Sequence, residues 1–194
     1  MSPPAERPPL PDGSRNANPA GVPFWTLVAE DYATHGRDWA SQGFWAMFWH
    51  RFGNWRMGLR QPFRAPMTLV YRVMFKACEI FGGIMLPYSV PIGRRVRIEH
   101  FGGIVISARS IGDDVILRQN TTMGVARTDD LTGWPVIGSR VDVGVGAVIL
   151  GQVTVGDGAV IGANAVVLRD VPPGALAVGV PARVIERGGG KGGA

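Results

Sequence analysis

Cysteine is nearly absent: Cys78 stands alone among 194 residues. That excludes an internal disulfide and a cysteine-rich metal cluster, and it suits a reducing compartment. Histidine is scarce too, with three in total, His35, His50 and His100. No apolar run reaches the roughly 20 residues that a membrane-spanning helix needs. The opening MSPPAERPPL lacks the positive-then-apolar order of a secretory leader, so no secretion is expected. Acidic residues are few, 15 against 20 lysines and arginines, for a net charge of +5. The excess suits an anionic ligand, a nucleic acid or an acidic membrane surface, and does not choose among them.

What is present divides the chain. Residues 1–22 hold Pro3, Pro4, Pro8, Pro9, Pro11 and Pro19 with few apolar groups. They read as a disordered tail, and the glycine-rich 188–194 as a flexible one. Residues 24–84 read as a helical N-terminal domain. FWTLVAEDYATHG stops at Gly36; DWASQGFWAMFWHRFGNWRMGLR makes a longer aromatic helix with Asp38 as its cap. Pro62 and Pro66 interrupt, and MTLVYRVMFKACEIFGG then runs from Met67 to Gly82-Gly83. Its apolar face is wide, as for a helix packed on other protein.

From Leu86 the pattern changes. Aliphatic residues recur at every sixth position, Ile137, Val143, Ile149, Val155, Ile161 and Val167. Four places after each stand Val141, Ala147, Val153, Ala159, Ala165 and Val171. Upstream the same phase runs through Leu86, Ile92, Ile98 and Ile104. After one extra residue it resumes at Ile111, Leu117 and Met123, before a stretch around DDLTGWP interrupts it. A helix cannot give a strict period of six, and a plain strand gives two. Six fits a coil of three short strands and three corners, the hexapeptide pattern of a parallel β-helix. The glycines of GDGAVIG, Gly156 to Gly162, are then repeat glycines, not a dinucleotide loop, since no helix follows.

The repeats resemble the left-handed β-helix of hexapeptide acyltransferases. Three segments, IGRRVRIEHFGGIVIS, LRQNTTMGV and VDVGVGAVILGQVTVGDGAVIGANAVVLRDVPPGALAVGVPARVI, together resemble the serine acetyltransferase branch over about residues 86–185. The GVPAR ending, Gly179 to Arg183, is general to the superfamily; the Glu99-His100 pair before a glycine turn is the more specific mark. The fold class implied is α+β, a helical segment followed by a left-handed β-helix domain over residues 86–187. The activity implied is acetyl transfer from acetyl-CoA to a hydroxyl, by a homotrimer, with no metal.

That chemistry needs a base for the hydroxyl proton, and a neutral histidine suits it. In the repeat frame Ile98 and Gly102 look inward, which leaves Glu99 and His100 facing out. His100 is the candidate base, and Glu99 orients the acceptor or tunes the imidazole. Backbone N–H groups near Gly102, Gly103 or Gly124 are candidate oxyanion donors, although the same glycines serve equally as turn residues. The resemblance lays the coenzyme along a groove between neighbouring β-helices, past Gly124, Gly144, Ala147, Gly162 and Ala163. Arg169 and Arg183 are candidates for its phosphates.

Two positions depart from the branch. Trp134 stands where a second histidine is expected, before Pro135, and Met85 where an aspartate is expected. Neither can hold the amine and carboxylate of serine, whereas an indole suits a sugar ring. A saccharide unit of an exopolysaccharide or capsule is therefore the favoured acceptor, with Trp134, Met85, Gly102 and Gly103 lining its site. Asp129 and Asp130 offer weak substitutes for the lost polar groups. L-Serine is the alternative, and a non-catalytic scaffold or membrane-surface module is the rival of another class. The γ-carbonic anhydrase type is set aside, because two of the three histidines lie in the helical region. Residues 44–64 interleave Trp45, Trp49 and Trp55 with Arg51, Arg56, Arg60 and Arg64. That stretch suits either a packed helix or an anionic membrane surface, which would make a cytoplasmic enzyme peripheral at the inner face. No nucleic-acid module appears, and His35 and His50 are assigned no role.

Overall fold

The computed structural model describes residues 7–186. Three helices lead: α1 (Phe24–Thr34), α2 (Gln42–Trp55) and α3 (Arg64–Gly82). Fourteen short strands follow as the three flat faces of a left-handed parallel β-helix. The first face stacks β1 (Ile84–Met85), β3 (Ile104–Ile106), β6 (Thr122–Gly124), β9 (Val148–Leu150) and β12 (Val166–Val167). The second stacks β4 (Ser110–Ile111), β7 (Val136–Ile137) and β10 (Thr154–Val155). The third stacks β2 (Arg97–Glu99), β5 (Ile116–Arg118), β8 (Asp142–Val143), β11 (Val160–Ile161) and β13 (Leu176–Val178). There β14 (Arg183–Ile185) closes the face antiparallel to β13.

The period of six has a plain cause. All thirteen aliphatic positions from Leu86 to Val167 point into the prism, each at most 3% exposed. The small residues four places on, from Val141 to Val171, fill the corners beside them and are equally buried. Glycine is required where coils touch: a Cβ on Gly144 would lie 2.7 Å from the Ala163 nitrogen and the Ile161 oxygen of the next coil. The stretch around DDLTGWP is the loop between β6 and β7, and it leaves the register of the coils intact: Ser110 still pairs Val136.

Charged residues hold the helices to the first coil. Arg51 is fully buried, with its Nε 2.9 Å from the Asp31 carboxylate. It also donates to the carbonyl oxygens of Ile92 and Gly93 at 2.9 and 2.6 Å. His50 is buried, with Nε2 2.8 Å from the Val90 oxygen, and burial lowers its pKa to about 3. The Arg56 guanidinium is buried over the rings of Tyr71 and Tyr88. Arg51 and Arg56 are thus packing residues, and the basic face expected for residues 44–64 loses two of its four arginines. Among the described residues no helix is long and apolar enough to cross a membrane.

Other expectations need correction. Residues 7–22, read as a disordered tail, form an irregular strap against the body. Arg7 donates to the carbonyl oxygens of Gln152 and Trp134, and the Tyr88 hydroxyl donates to that of Gly13. The proline-rich composition forbids a helix but not an extended path with side-chain anchors. Residues 1–6 of the expected N-terminal tail, residue 187 and the whole of the expected C-terminal tail, 188–194, lie outside the described residues. The cap of α2 is Ser41, whose Oγ accepts from Phe44 N at 3.2 Å; Asp38 instead accepts from Ala40 N in the turn before it. Pro66 lies within the first turn of α3, where its missing N–H costs nothing.

Candidate active site

β2 sends Arg97 and Glu99 outward, with Ile98 buried between them. His100 follows at the edge where the third face turns into the first. Its backbone φ is 62°, in the left-handed region. The matching left-handed residue comes one place later in lower coils, at Asn120, Gly146 and Asn164. The His100 corner is therefore irregular, and it adds Gly102 and Gly103 in left-handed conformation. A Cβ on Gly103 would lie 2.3 Å from the Asn120 side chain, so glycine is required there.

His100 is exposed and lines a cleft of about 370 Å³. Arg97, Ile98, Glu99 and Phe101 flank it; His35, Asp38, Ser41 and Gln42, from the end of α1 and the start of α2, form the rest of the lining. The Glu99 carboxylate lies 3.2 Å from Arg97 and 3.1 Å from Arg118. Arg118 also pairs with Asp142. Among the described residues His100 and Glu99 share no hydrogen bond, so Glu99 sits beside the imidazole without fixing it. His35 anchors this corner from below: its Nε2 accepts from Ile98 N at 3.1 Å, and its Nδ1 lies 2.6 Å from the Asp31 oxygen. Burial pulls the pKa of His35 below the usual imidazole value, which keeps the accepting nitrogen free of a proton.

The other expected residues divide. Gly102 does not fill an inward position, since a Cβ there would meet open space. Its N–H donates to the Gly82 oxygen at 2.9 Å and is not free for an oxyanion. The end of α3 packs on this corner: a Cβ on Gly83 would lie 2.9 Å from the Gly102 Cα. Gly144, Ala147, Gly162 and Ala163 lie on the same edge as His100, on the third and fourth coils. Ala163 is exposed, but the Ala147 methyl is fully buried and offers a ligand no side-chain contact. Arg169 and Arg183 come together with Asp170 in a cleft of about 350 Å³ at the C-terminal end. Met85 lies outward on β1, its partner on the next coil being Val105. Trp134 and Gly124 are on another edge, beside the β6–β7 loop. None of Trp134, Met85, Gly102, Gly103 and Gly124 lines the His100 cleft. Asp129 pairs with Arg127 in the same loop, and Asp130 holds Thr132.

Sequence reading missed Arg97, Asp38, Ser41 and Gln42. Arg97 was within reach, since strand alternation puts it on the side of Glu99; the α1–α2 turn has no period that would aim it at β2.

No family model matches the chain. Curated relatives do. The serine acetyltransferase of Mycobacterium tuberculosis is 36% identical over 144 residues, covering 74% of this chain and 60% of that protein. That of Synechococcus elongatus is 33% identical over 177 residues, covering 86% of this chain and 70% of that protein. The chain belongs to the serine acetyltransferase family. It spans about 60% of the length of the M. tuberculosis relative. Among solved structures, soybean serine acetyltransferase complexed with serine superposes with a TM-score of 0.67 at 31% identity, covering 82% of this chain and 68% of that one. Among the described residues no group of three or more His, Cys, Asp or Glu is arranged to hold a metal ion.

Proposed function

We propose that this chain transfers acetyl from acetyl-CoA to a hydroxyl, with L-serine as the acceptor and His100 as the general base. The observation that carries the reading is an exposed imidazole in a cleft that also offers both signs of charge. Arg97 suits a carboxylate, and Asp38 and Glu99 suit an ammonium group. These are the polar partners that Met85 and Trp134 fail to supply. The relatives' names support serine over the saccharide favoured from sequence.

In this mechanism the neutral His100 imidazole takes the hydroxyl proton as the oxygen attacks the thioester carbonyl. The tetrahedral intermediate collapses with loss of the CoA thiolate, and the imidazolium returns its proton to that sulfur. The products are the acetyl ester and CoA. Arg169 and Arg183, which line one cleft at the C-terminal end, fit a polyanionic cosubstrate, and exposed Ala163 lies on the same edge as His100.

We read the active unit as a homotrimer. Leu69, Val73, Ile80 and Phe81 on α3 are exposed apolar residues that a second copy would cover. Trp134 and His100 lie on different edges of one prism, so a neighbouring copy is needed to bring the two edges together. A saccharide acceptor stays as the second reading, carried by Trp134 and Met85. Acceptor-dependent release of CoA, assayed with L-serine and with neutral sugars, separates the two. Turnover with serine supports the main reading, turnover with sugars alone replaces it, and turnover with neither favours a non-catalytic scaffold.

A further inference from the structure

We infer that the outward face of α2 docks on an anionic membrane surface, with its aromatic rings in the headgroup layer and Arg60 and Arg64 on lipid phosphates.

A helix on the outside of a protein normally turns polar residues to water. The α2 helix does not. Eight of its fourteen residues are buried against the body. Of the other six, five are aromatic, Trp45, Phe48, Trp49, Phe52 and Trp55, and the sixth is Gln42. The five rings form one band, with successive centroids 5.0 to 5.6 Å apart. Trp39 extends the band through Trp45 at one end; Phe24 and Trp25 extend it through Trp55 at the other. Five of the six tryptophans in the chain lie here, and Trp25 and Trp39 are 71% and 60% exposed. Tryptophan joins an apolar body to a polar N–H, which suits it to the layer where a bilayer meets water.

Charge distinguishes lipid from a second copy as the occupant. From Trp39 to Cys78 the chain has no acidic residue. Arg60 and Arg64 follow Trp55 in the connection to α3, and Phe63 beside them is 71% exposed. Neither arginine takes part in an ion pair among the described residues. The acids of α1 are already used, Glu30 by Arg94 and Asp31 by Arg51. A second copy seated face to face on this band would bring the same cations and no carboxylate to answer them. Anionic lipid brings the missing charge. The aliphatic residues of α3, Leu69, Val73 and Ile80, remain for contact between copies. The band begins at Trp39, next to Asp38 in the lining of the His100 cleft, so docking holds that cleft near the lipid.

Flotation of the full chain with vesicles tests this. Vesicles of phosphatidylcholine with one-third phosphatidylglycerol should carry the protein, and pure phosphatidylcholine should carry far less. High salt should weaken the binding, since the attraction acts within a Debye length. Acyl chains bearing bromine should quench the tryptophan emission. Arg60→Gln should lower partition onto the anionic vesicles about 5-fold and leave the neutral value unchanged. Trp25→Ser together with Trp55→Ser should abolish flotation, with the urea midpoint as the check on folding. Trp25→Ser alone, at a ring already in solvent, keeps the test open if the double variant does not fold, and should lower partition about 5-fold. Absent flotation, equal flotation with neutral vesicles, or variants that float like the wild type would each overturn the inference. If the wild type fails to float and Trp25→Ser lowers its sedimenting mass, the band is instead an interface between copies.

Discussion

His100 combines exposure with a backbone conformation that costs a side-chain-bearing residue of order 1 kcal/mol. Asparagine tolerates the same conformation, as Asn120 and Asn164 do here. His100→Asn should therefore leave the unfolding midpoint in place while lowering kcat by about 10²- to 10⁴-fold, the usual contribution of a general base. Steady-state kinetics beside a urea titration checks both halves. The two buried histidines make a separate prediction. His35 and His50 both have folded pKa values depressed below 6.5 by burial, that of His50 to about 3. Each is neutral in the folded chain, so its contribution is full above the unfolded value and is lost as pH falls through the window below 6.5. Stability should decline by about 1.4 kcal/mol per pH unit for each ring still neutral in the fold. Urea titrations at pH 7.5, 6.5 and 5.5 test this; a flat profile would show that the rings are not held as described. Both histidines look idle in the sequence, because a lone histidine carries no mark of its acceptor. Here the acceptor and donor groups are backbone atoms of Val90 and Ile98.

The coils show the opposite case, in which sequence was sufficient. A fixed place in each strand faces the same narrow interior, so the steric demand repeats with the chain and is visible as a period. Leu117, fully buried between neighbours from adjacent coils, should cost about 2–5 kcal/mol when cut to alanine, measured by urea unfolding. Gly102 fits the period by spacing alone, and it fails because α3 ends on that corner. Its N–H is taken by Gly82, and a Cβ on Gly83 would lie 2.9 Å from the Gly102 Cα. Periodicity describes one coil repeated, so it is blind to an element that caps the first one. Arg51 was misjudged for a related reason. Charge suggests a surface, but Asp31 and two carbonyl oxygens make the interior hospitable. The opposite half of the candidate site was equally hidden, since Asp38, Ser41 and Gln42 line the His100 cleft from a turn with no repeat.

One prism leaves apolar surface on α3 and divides the expected site residues between two edges. If three copies assemble, sedimentation should give the mass of three chains. Phe81→Asp, placing a charge on the most exposed ring of α3, should shift that mass toward one chain. A mass of one chain for the wild type would overturn the trimer and leave the apolar face of α3 in solvent.

The strap has a consequence for the order of events during synthesis. A β-helix can add coils one after another as they leave the ribosome, each resting on the last. Arg7 cannot follow that sequence, because its acceptors are the carbonyl oxygens of Trp134 and Gln152. The segment around Arg7, made before its acceptors, thus docks after them. Arg7 has these acceptors only once the third and fourth coils exist, and it then latches the strap to coils made more than a hundred residues later.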